Sequence, residues 1–326
     1  MKIIKFLKDW TLIIAIIVGI AAYFIYTAIP VLDSTHKVAL RAVEIIQPML
    51  IFLMLFITFC RVNPRKLRLC KWHWWLLLFQ CGMFTLISCI LILMPQSGLR
   101  VVLEGAMICL ICPTATAGAV ITKKLGGDIA HITTYTILIN IVNAILIPLL
   151  VPYIHPNPDL GIVNSALLIL GKVFPLLLMP LLAAILLRYL SPRLHFIVSH
   201  YHELSFYLWA VALALAMTVT TRSIVHAQVA FSTEMWLVVV SLASCLLQFY
   251  LGRKIGARYN DKITAGQSLG QKNTVLAIWM GYTFFTPITS IVGGFYSIWH
   301  NVINSYQLYE KKKMDAKRLE NSKRDQ

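Results

Sequence analysis

Residues 101–122 form an apolar stretch with a polar interruption at its middle: VVLEGAMICLICPTATAGAVIT. The stretch is long enough for a membrane-spanning helix, which needs about 20 mostly apolar residues. The interruption, residues 112–119, contains Pro113 and Gly118, and both residue types weaken a helix interior. Lipid does not tolerate unpaired backbone groups, so a broken span must line a cavity or be buried in protein. This segment therefore predicts a helix that breaks inside the membrane.

A second interrupted stretch occurs later in the chain. Residues 264–274 read TAGQSLGQKNT, with glycine and polar residues inside an otherwise apolar region. The two stretches are the fourth and the ninth of ten apolar segments of span length. Interrupted spans at matching positions of two halves indicate the binding site of a transporter. The alternative is that these small residues only allow helices to pack closely.

The composition supports the membrane interpretation. Of 326 residues, 59% are apolar and 13% are charged, and the mean hydropathy is +0.76. Soluble domains carry about 25% charged residues, so this chain cannot cover itself with a polar surface and is not an ordinary soluble domain. The ten predicted spans are residues 11–32, 42–60, 74–94, 101–122, 129–154, 162–189, 203–222, 232–252, 264–283 and 286–308.

The distribution of basic residues predicts the orientation. The net charge is +16, and most of the 29 Lys and Arg residues fall in the termini and connections on one side of the predicted membrane. The other side receives only Lys37, Arg41, Arg100 and Arg222. Basic loops stay in the cytoplasm, so both termini are predicted to be cytoplasmic, in a multi-pass protein of the inner cell membrane. The charge excess thus reflects topology, and no nucleic-acid partner is expected.

The number of spans predicts an internal repeat. Ten spans divide into two sets of five, and an odd number per set inverts the second set relative to the first. The expected organisation is an N-terminal inverted repeat over residues 1–155, a C-terminal inverted repeat over residues 156–309, and a charged cytoplasmic tail over residues 310–326. The predicted fold class is an all-α polytopic membrane protein of ten transmembrane helices.

Both interrupted segments resemble the bile acid:sodium symporter family. The family reads Cys-Pro-Gly-Gly-Thr-Ala-Ser-Asn in the fourth span, where this chain has residues 112–119, CPTATAGA, followed by Gly126-Gly127-Asp128. The family reads Glu-x-Gly-x-Gln-Asn in the ninth span, where this chain has residues 268–273, SLGQKN. Pro48 and Gln80 also match family positions. The resemblance extends over nearly the whole membrane region. It implies crossing fourth and ninth helices, and a core domain that moves against a panel domain.

The resemblance also implies a substrate site beside the crossing and two sodium ions held by oxygen ligands. This chain departs from that ligand set: the family's Ser-Asn pair has become Gly118–Ala119, its Glu has become Ser268, and its Gln has become Lys272. Hard cations prefer several oxygen ligands with negative charge, so both sodium sites are degenerate and no resident metal is expected. The candidate substrate-binding and coupling residues are Lys272, Asn273, Gln271, Ser268, Gln80, Thr114, Thr116, Thr136 and Asn140.

Lys272 is the residue with a mechanistic prediction. An ionisable side chain at membrane depth costs at least about 2.5–3.5 kcal/mol on insertion scales, so it is a functional candidate by default. We expect its ammonium to occupy the space where relatives hold sodium, either as a fixed charge or as a group that loses its proton during transport. The alternatives are that Lys272 snorkels from a misjudged span end, or that it satisfies a carbonyl of the bundle.

Three further predictions concern polar residues near or inside spans. Lys172 is the second lysine predicted to be buried inside a span, where a packing or counter-charge role and a role in transport are both open. Glu44 and Glu104 are predicted at the interface near outer span ends, where either can pair with Arg41 or Arg100. Asn140 and Asn143 share a helix face and are expected to bond across helices or to line a cavity.

These features favour a secondary active transporter of a small, anionic organic solute that works by alternating access. Sodium or a proton is the expected coupling ion, and the coupling is predicted to differ from the family's two-sodium symport. The alternatives are a sodium-coupled symporter of the family type and a membrane receptor without transport. An intramembrane enzyme is disfavoured because the sequence has no paired catalytic carboxylates or metal-protease motif at depth. The expected partners are the solute and the lipid bilayer, with no organic cofactor.

Overall fold

The computed structural model describes residues 10–201 and 204–324 of the chain. Three lysines used to predict the orientation, Lys2, Lys5 and Lys8, lie outside these ranges. Within them the chain forms fourteen α-helices and three short 3-10 helices, and it has no strand beyond one isolated bridge. The all-α class is therefore confirmed for the described residues.

The helices follow one another with short connections. In the first half they are α1 (Thr11–Ala28), α2 (His36–Cys60), α3 (Lys71–Leu93), α4 (Arg100–Ile111), α5 (Gly118–Leu125) and α6 (Ile129–Ile154). In the second half they are α7 (Ile162–Leu177), α8 (Met179–Leu190), α9 (Pro192–His200), α10 (Leu204–Val225), α11 (Phe231–Ala257), α12 (Lys262–Gly270), α13 (Thr274–Phe284) and α14 (Ser290–Arg324).

Six of the described helices are long and apolar enough to cross a membrane: α1, α2, α3, α6, α10 and α11. Helices α7 and α8 add a seventh span if they are counted as one helix bent by 43°. Many large apolar side chains also remain exposed on these helices, including Ile17 at 59% and Leu78 at 63%. Such surfaces are expected to face lipid. These features are those of a multi-pass membrane protein.

The count of six or seven is lower than the ten predicted spans, and three segments account for the difference when α7 and α8 are counted as one span. The fourth and ninth predicted spans are each two short helices, α4 with α5 and α12 with α13, of 8 to 12 residues each. A helix of that length does not cross a membrane alone. The tenth, α14, is long but does not reach the same apolarity, because its buried face carries Ser290, Ser297, His300 and Asn304.

The helices pack in two groups, which we call the first and second helix groups. The first comprises α1, α2 and α7–α10, with α1 packed on α10 and α2 packed on α8 and α10. The second comprises α3–α6 and α11–α14, with α12 packed on α11 and α14 packed on α11 and α13. The two groups meet where α7 packs extensively on α6, where α10 contacts α13 and α14, and where α2 contacts α13.

Glycine sets the closest helix approach within each group. A Cβ atom on Gly19 of α1 would lie 2.4 Å from the carbonyl oxygen of Ala214 on α10. A Cβ atom on Gly252 of α11 would lie 2.6 Å from the carbonyl oxygen of Ala265 on α12. Helices that meet inside a membrane associate through such small residues, because lipid supplies no hydrophobic drive for packing.

Candidate functional site

The two interrupted segments lie against each other in the interior. Helix α4 ends at Ile111 and α5 begins at Gly118, while α12 ends at Gly270 and α13 begins at Thr274. We call the non-helical residues 112–117 and 271–273 the crossover. Here Thr114 and Lys272 form an antiparallel bridge, with hydrogen bonds from Ala115 N to Gln271 O (2.9 Å) and from Asn273 N to Pro113 O (2.8 Å). Each broken segment therefore supplies backbone partners that the other lost with its helix.

Side-chain donors from four elements cap the carboxyl end of α4. The last carbonyls of a helix have no partner within it, and in an apolar interior they need one from elsewhere. The bonds run from Gln248 Nε2 to Cys109 O (3.1 Å), from Lys272 Nζ to Leu110 O (3.2 Å), from Asn143 Nδ2 to Ile111 O (2.7 Å), and from Gln80 Nε2 to the carbonyls of Leu110 (2.7 Å), Ile111 (3.3 Å) and Cys112 (3.2 Å).

Lys272 supplies the amine of this cap. Its side chain is only 1% exposed, so the snorkelling alternative is wrong, whereas the alternative of a satisfied bundle carbonyl matches its bond to Leu110. A cation is favoured at the negative end of a helix dipole. Among the described residues, no carboxylate lies within ion-pair distance of Lys272. Lys172, by contrast, is exposed on α7 and not buried as predicted.

Gln80 is the other central member of the cap. It is fully buried on α3, and its Oε1 accepts a hydrogen bond from the Tyr135 hydroxyl of α6 at 2.5 Å. The predicted residue thus connects three helices through both ends of its amide. Tyr135, Gln248 and Tyr296 were missed by sequence reasoning. The only available signal was a polar side chain within an apolar helix.

The carboxyl end of α12 is capped by neutral donors. Thr114 Oγ1 donates to Ser268 O at 2.6 Å, and Tyr296 Oη donates to Gly270 O at 2.8 Å. At the start of α13, Asn273 Oδ1 accepts from Leu276 N at 3.3 Å as an N-cap. The predicted residues Thr114 and Asn273 therefore build the crossover itself.

Several predicted site residues carry buried polar atoms without a hydrogen-bond partner among the described protein groups. They are Ser268 Oγ, Gln271 Oε1 and both amide atoms of Asn140. Buried polar atoms normally have a partner, so such atoms indicate a place for water or for a polar ligand. Gly118 lies beside one of them: a Cβ atom there would be 3.2 Å from Gln271 Oε1 and 3.3 Å from Thr114 Cγ2.

The remaining predicted site residues make fewer contacts at the crossover. The Thr136 hydroxyl donates to Ile132 O of its own helix at 2.9 Å, so its hydrogen is already used. Thr116 is half-buried within the crossover, and Ala119 is half-buried in the first turn of α5. Asn140 and Asn143 are both buried, and Asn143 reaches across to α4 as expected for a shared polar face.

A buried ionic cluster lies at the end of the second helix group where α4 begins. Glu104 is 0% exposed, which corrects its predicted interfacial position, and its pairing with Arg100 is confirmed. Glu104 Oε1 accepts from Arg100 Nε at 3.0 Å and lies 3.1 Å from His155 Nε2, while Oε2 accepts from Thr286 N at 3.0 Å. The carboxylate thus joins α4 to the end of α6 and to the segment after α13.

A cavity of about 600 Å³ opens at the opposite end of this group. Inside it His131 Nδ1 lies 2.7 Å from Asp261 Oδ2, which also accepts from Trp72 Nε1 at 3.1 Å. Burial, helped by the carboxylates of Asp261 and Asp128, raises the pKa of the Cys70 thiol at its wall. The lining residues are Cys70, Lys71, Trp72, Gly126, Gly127, Asp128, His131, Tyr259, Asn260 and Asp261.

Comparison with known proteins leaves the site to be judged by its geometry. No protein-family model and no curated protein matches the chain. The features of the molecule that bear on function are the crossover, the buried Lys272 side chain within it, and the two helix groups around it.

Proposed function

We propose that this protein is a secondary active transporter that moves a small, anionic organic solute by alternating access. The observation that carries the proposal is the meeting of two broken helices in the interior, with a buried ammonium at the carboxyl end of one of them. Broken helices inside a membrane protein are tolerated where they serve a cavity or a binding site. Paired broken helices from two halves of a chain are characteristic of secondary transporters.

The proposed topology has ten membrane passes in two inverted repeats, with both termini in the cytoplasm. In it α4 with α5 is the fourth pass, α7 with α8 the sixth, α12 with α13 the ninth, and the first half of α14 the tenth. The order of helices supports this assignment, because a broken pair occurs fourth in residues 1–155 and again fourth in residues 156–309. The resemblance of both broken segments to the bile acid:sodium symporter family points to the same arrangement.

The two helix groups supply the moving parts of the proposed cycle. The crossover belongs entirely to the second group, and the first group packs beside it through α2 and α10. A solute held at the crossover would be exposed to one side or the other as the first group rocks against the second. The second group would be the core domain and the first group the panel domain.

The electrostatics of the crossover favour an anionic solute. Lys272 contributes the nearby positive side chain, and the amino ends of the half-helices α5 and α13 contribute partial positive charge at the same depth. The polar atoms of Ser268, Gln271 and Asn140 remain free to orient a solute by hydrogen bonds.

The same arrangement argues against coupling to two sodium ions. The Lys272 ammonium lies against Leu110 O, in the position where the resemblance implies a sodium ligand. At the second implied site, Gly118 and Ala119 offer no side-chain oxygen, and Ser268 replaces a carboxylate. Sodium needs several oxygens and gains from negative charge. We infer that the Lys272 ammonium replaces one of the two sodium ions, either as a fixed charge or as a group that releases its proton when the site opens.

The first test needs no knowledge of the solute. We would measure the thermal unfolding midpoint of the protein in lipid nanodiscs, in sodium chloride and in choline chloride. A ligand that binds only the folded state raises this midpoint. The wild-type midpoint should be the same in both salts, whereas Lys272→Gln, which restores the family's residue, should be raised by sodium. Lys172→Gln is the matched control and should behave as wild type.

The second test measures transport directly. The purified protein in proteoliposomes would be offered a panel of radiolabelled organic anions, with sodium present or absent and with the proton gradient intact or collapsed. Saturable uptake that survives sodium removal supports the proposal, and loss of uptake on collapsing the proton gradient would identify the proton as the coupling ion. Strict sodium dependence would favour the family's symport, and binding without flux would favour a receptor.

A further inference from the structure

A hydrogen bond between side chains joins the first helix group to the second. The hydroxyl of Tyr282, on α13, donates to Oε1 of Gln47, on α2, at 2.8 Å. Gln47 is 0% exposed, and its Nε2 has no partner among the described protein groups. Its amide is therefore buried in the interface between the two groups with half of its hydrogen-bonding capacity unused. Burying an amide without all of its hydrogen bonds costs free energy. That cost would be recovered if α2 moved so that water could reach the Gln47 amide.

The opposite end of the same interface contains a gap. A cavity of about 120 Å³ lies between the end of α2, helix α8 and helix α6. Phe59, at this end of α2, is twelve residues from Gln47, or about 18 Å along a helix. Gln47 is the first buried residue along α2, so the interface is hydrogen-bonded where it begins, which we call the Gln47 end, and contains a cavity at the Phe59 end. The lining residues are Phe59, Val62, Pro64, Leu67, Ile137, Leu181, Ala184, Ile185, Arg188 and His195.

Helix α2 can bend beside the bonded residue. Pro48 follows Gln47 directly and lies inside the helix. Proline has no N–H for the backbone bond to residue 44, and most sharp helix kinks occur at proline. The segment of α2 that carries the residues before Pro48 is therefore able to change its angle without unfolding the rest of the helix.

We propose that the Tyr282–Gln47 hydrogen bond is a releasable closure between the two helix groups. It holds the Gln47 end of the interface shut in the state described here, and it breaks when that end opens and the Phe59 end closes. That this closure acts in a transport cycle rests on the proposed function. That the bond holds the two helix groups together can be tested without any transport. In the proposed topology the Gln47 end faces outward and the Phe59 end faces the cytoplasm.

Hydrogen–deuterium exchange of the full chain in nanodiscs tests this closure without any solute. Tyr282→Phe removes the hydroxyl and keeps the ring. Loss of one hydrogen bond should shift the balance between the two closures about two- to tenfold. Backbone amides of α2 before Pro48 and of α13 should exchange faster, and those of residues 62–67 and of α8 should exchange more slowly. Tyr306→Phe, at a side chain 64% exposed, is the matched control and should change neither end.

The opposite responses of the two ends are the decisive result. Faster exchange at the Gln47 end without protection at the Phe59 end would mean that the bond is only structural, and would overturn the proposal. Gln47→Leu removes the acceptor and should reproduce the effect if Tyr282→Phe does not fold, and the double variant should add nothing to either change. Opposite responses in a protein without solute flux would leave the closure standing while the proposed function fails.

Discussion

The Nζ atom of Lys272 lies 3.2 Å from the carbonyl oxygen of Leu110, at the carboxyl end of α4. Helix α4 stops there in a buried region, so the negative end of its dipole lies where no solvent screens it. The crossover supplies a cation to that end from the second broken segment, through the same residue whose backbone pairs with Thr114. One residue thus provides both the backbone pairing and the charge that stabilise the break.

Replacing Lys272 by Met should separate function from stability. The change removes one hydrogen bond worth about 0.5–1.5 kcal/mol, but it also removes the cost of burying a charge, and buried charges are often replaced by apolar groups at little cost. We therefore expect the unfolding midpoint to fall slightly or not at all, while solute uptake in proteoliposomes is lost. Unchanged uptake with unchanged ion dependence would contradict a coupling role for Lys272.

Replacing Gln80 by Leu should strongly destabilise the protein. Three carbonyls of the α4 cap and the hydroxyl of Tyr135 lose a buried partner at once, at about 1–3 kcal/mol for each group left unsatisfied. Some of these carbonyls keep a second donor, so we expect a total loss of about 3–5 kcal/mol. Thermal unfolding in nanodiscs measures this. Gln96→Leu, at an exposed position, is the control and should be near neutral.

The ion pair of Glu104 and Arg100 should be energetically coupled. Glu104→Gln leaves Arg100, whose side chain is 23% exposed, without its counter-charge, so we expect less than the roughly 3–5 kcal/mol lost when a fully buried pair is broken from one side. In the double variant with Arg100→Met, the two effects should be less than additive by about 1–3 kcal/mol. Equilibrium unfolding of all four proteins tests this, with Glu44→Gln as the exposed control. Strict additivity would mean that the carboxylate acts mainly through Thr286.

The substitution Gly252→Ala should force α11 and α12 apart and lower the unfolding midpoint. The new Cβ atom would lie 2.6 Å from the carbonyl oxygen of Ala265, a backbone atom that cannot turn away. Overpacking of this kind costs about 1–3 kcal/mol. Gly171→Ala is the matched control, because nothing lies within 4 Å of its Cβ position and alanine stabilises a helix interior by about 0.5–1 kcal/mol. Opposite shifts of the two unfolding midpoints are therefore expected.

Labelling of Cys70 tests the proposed orientation and the environment of the 600 Å³ cavity together. A membrane-impermeant maleimide should label Cys70, located by mass spectrometry, in inside-out vesicles and not in right-side-out ones. Thiolate is the reactive form, and the pKa of Cys70 is raised, so labelling should be slow near neutral pH and accelerate as the pH rises.

The variant Asp261→Asn provides the electrostatic control for that experiment. It removes one of the two carboxylates that raise the pKa of Cys70, so the thiolate fraction at a fixed pH should rise and labelling should become faster. Labelling from the other side of the membrane would invert the proposed topology. An unchanged rate in Asp261→Asn would show that the Asp261 carboxylate does not contribute to the raised pKa of this thiol.

Local chemistry made the helix breaks predictable. Pro113 cannot donate a backbone bond, and the glycine and polar residues around Lys272 weaken a helix wherever they occur, so the interruptions needed no knowledge of the partner segments. The number of spans was less predictable, because apolarity and length do not decide whether two short helices on either side of a break together cross a membrane. It also does not reveal that α14 buries a polar face against its neighbours.

The sequence by itself determined the all-α membrane class, the positions of both breaks and the presence of an unusual lysine within one of them, since each depends on residues close together in the chain. Only the tertiary structure decided what those residues touch. In that structure Lys272 is hydrogen-bonded to the carbonyl of Leu110, Gln80 to the hydroxyl of Tyr135, and Gln47 to the hydroxyl of Tyr282. Such contacts depend on which helix faces meet across the bundle. Hydropathy cannot specify this, because lipid-facing and core-facing helix surfaces are equally apolar.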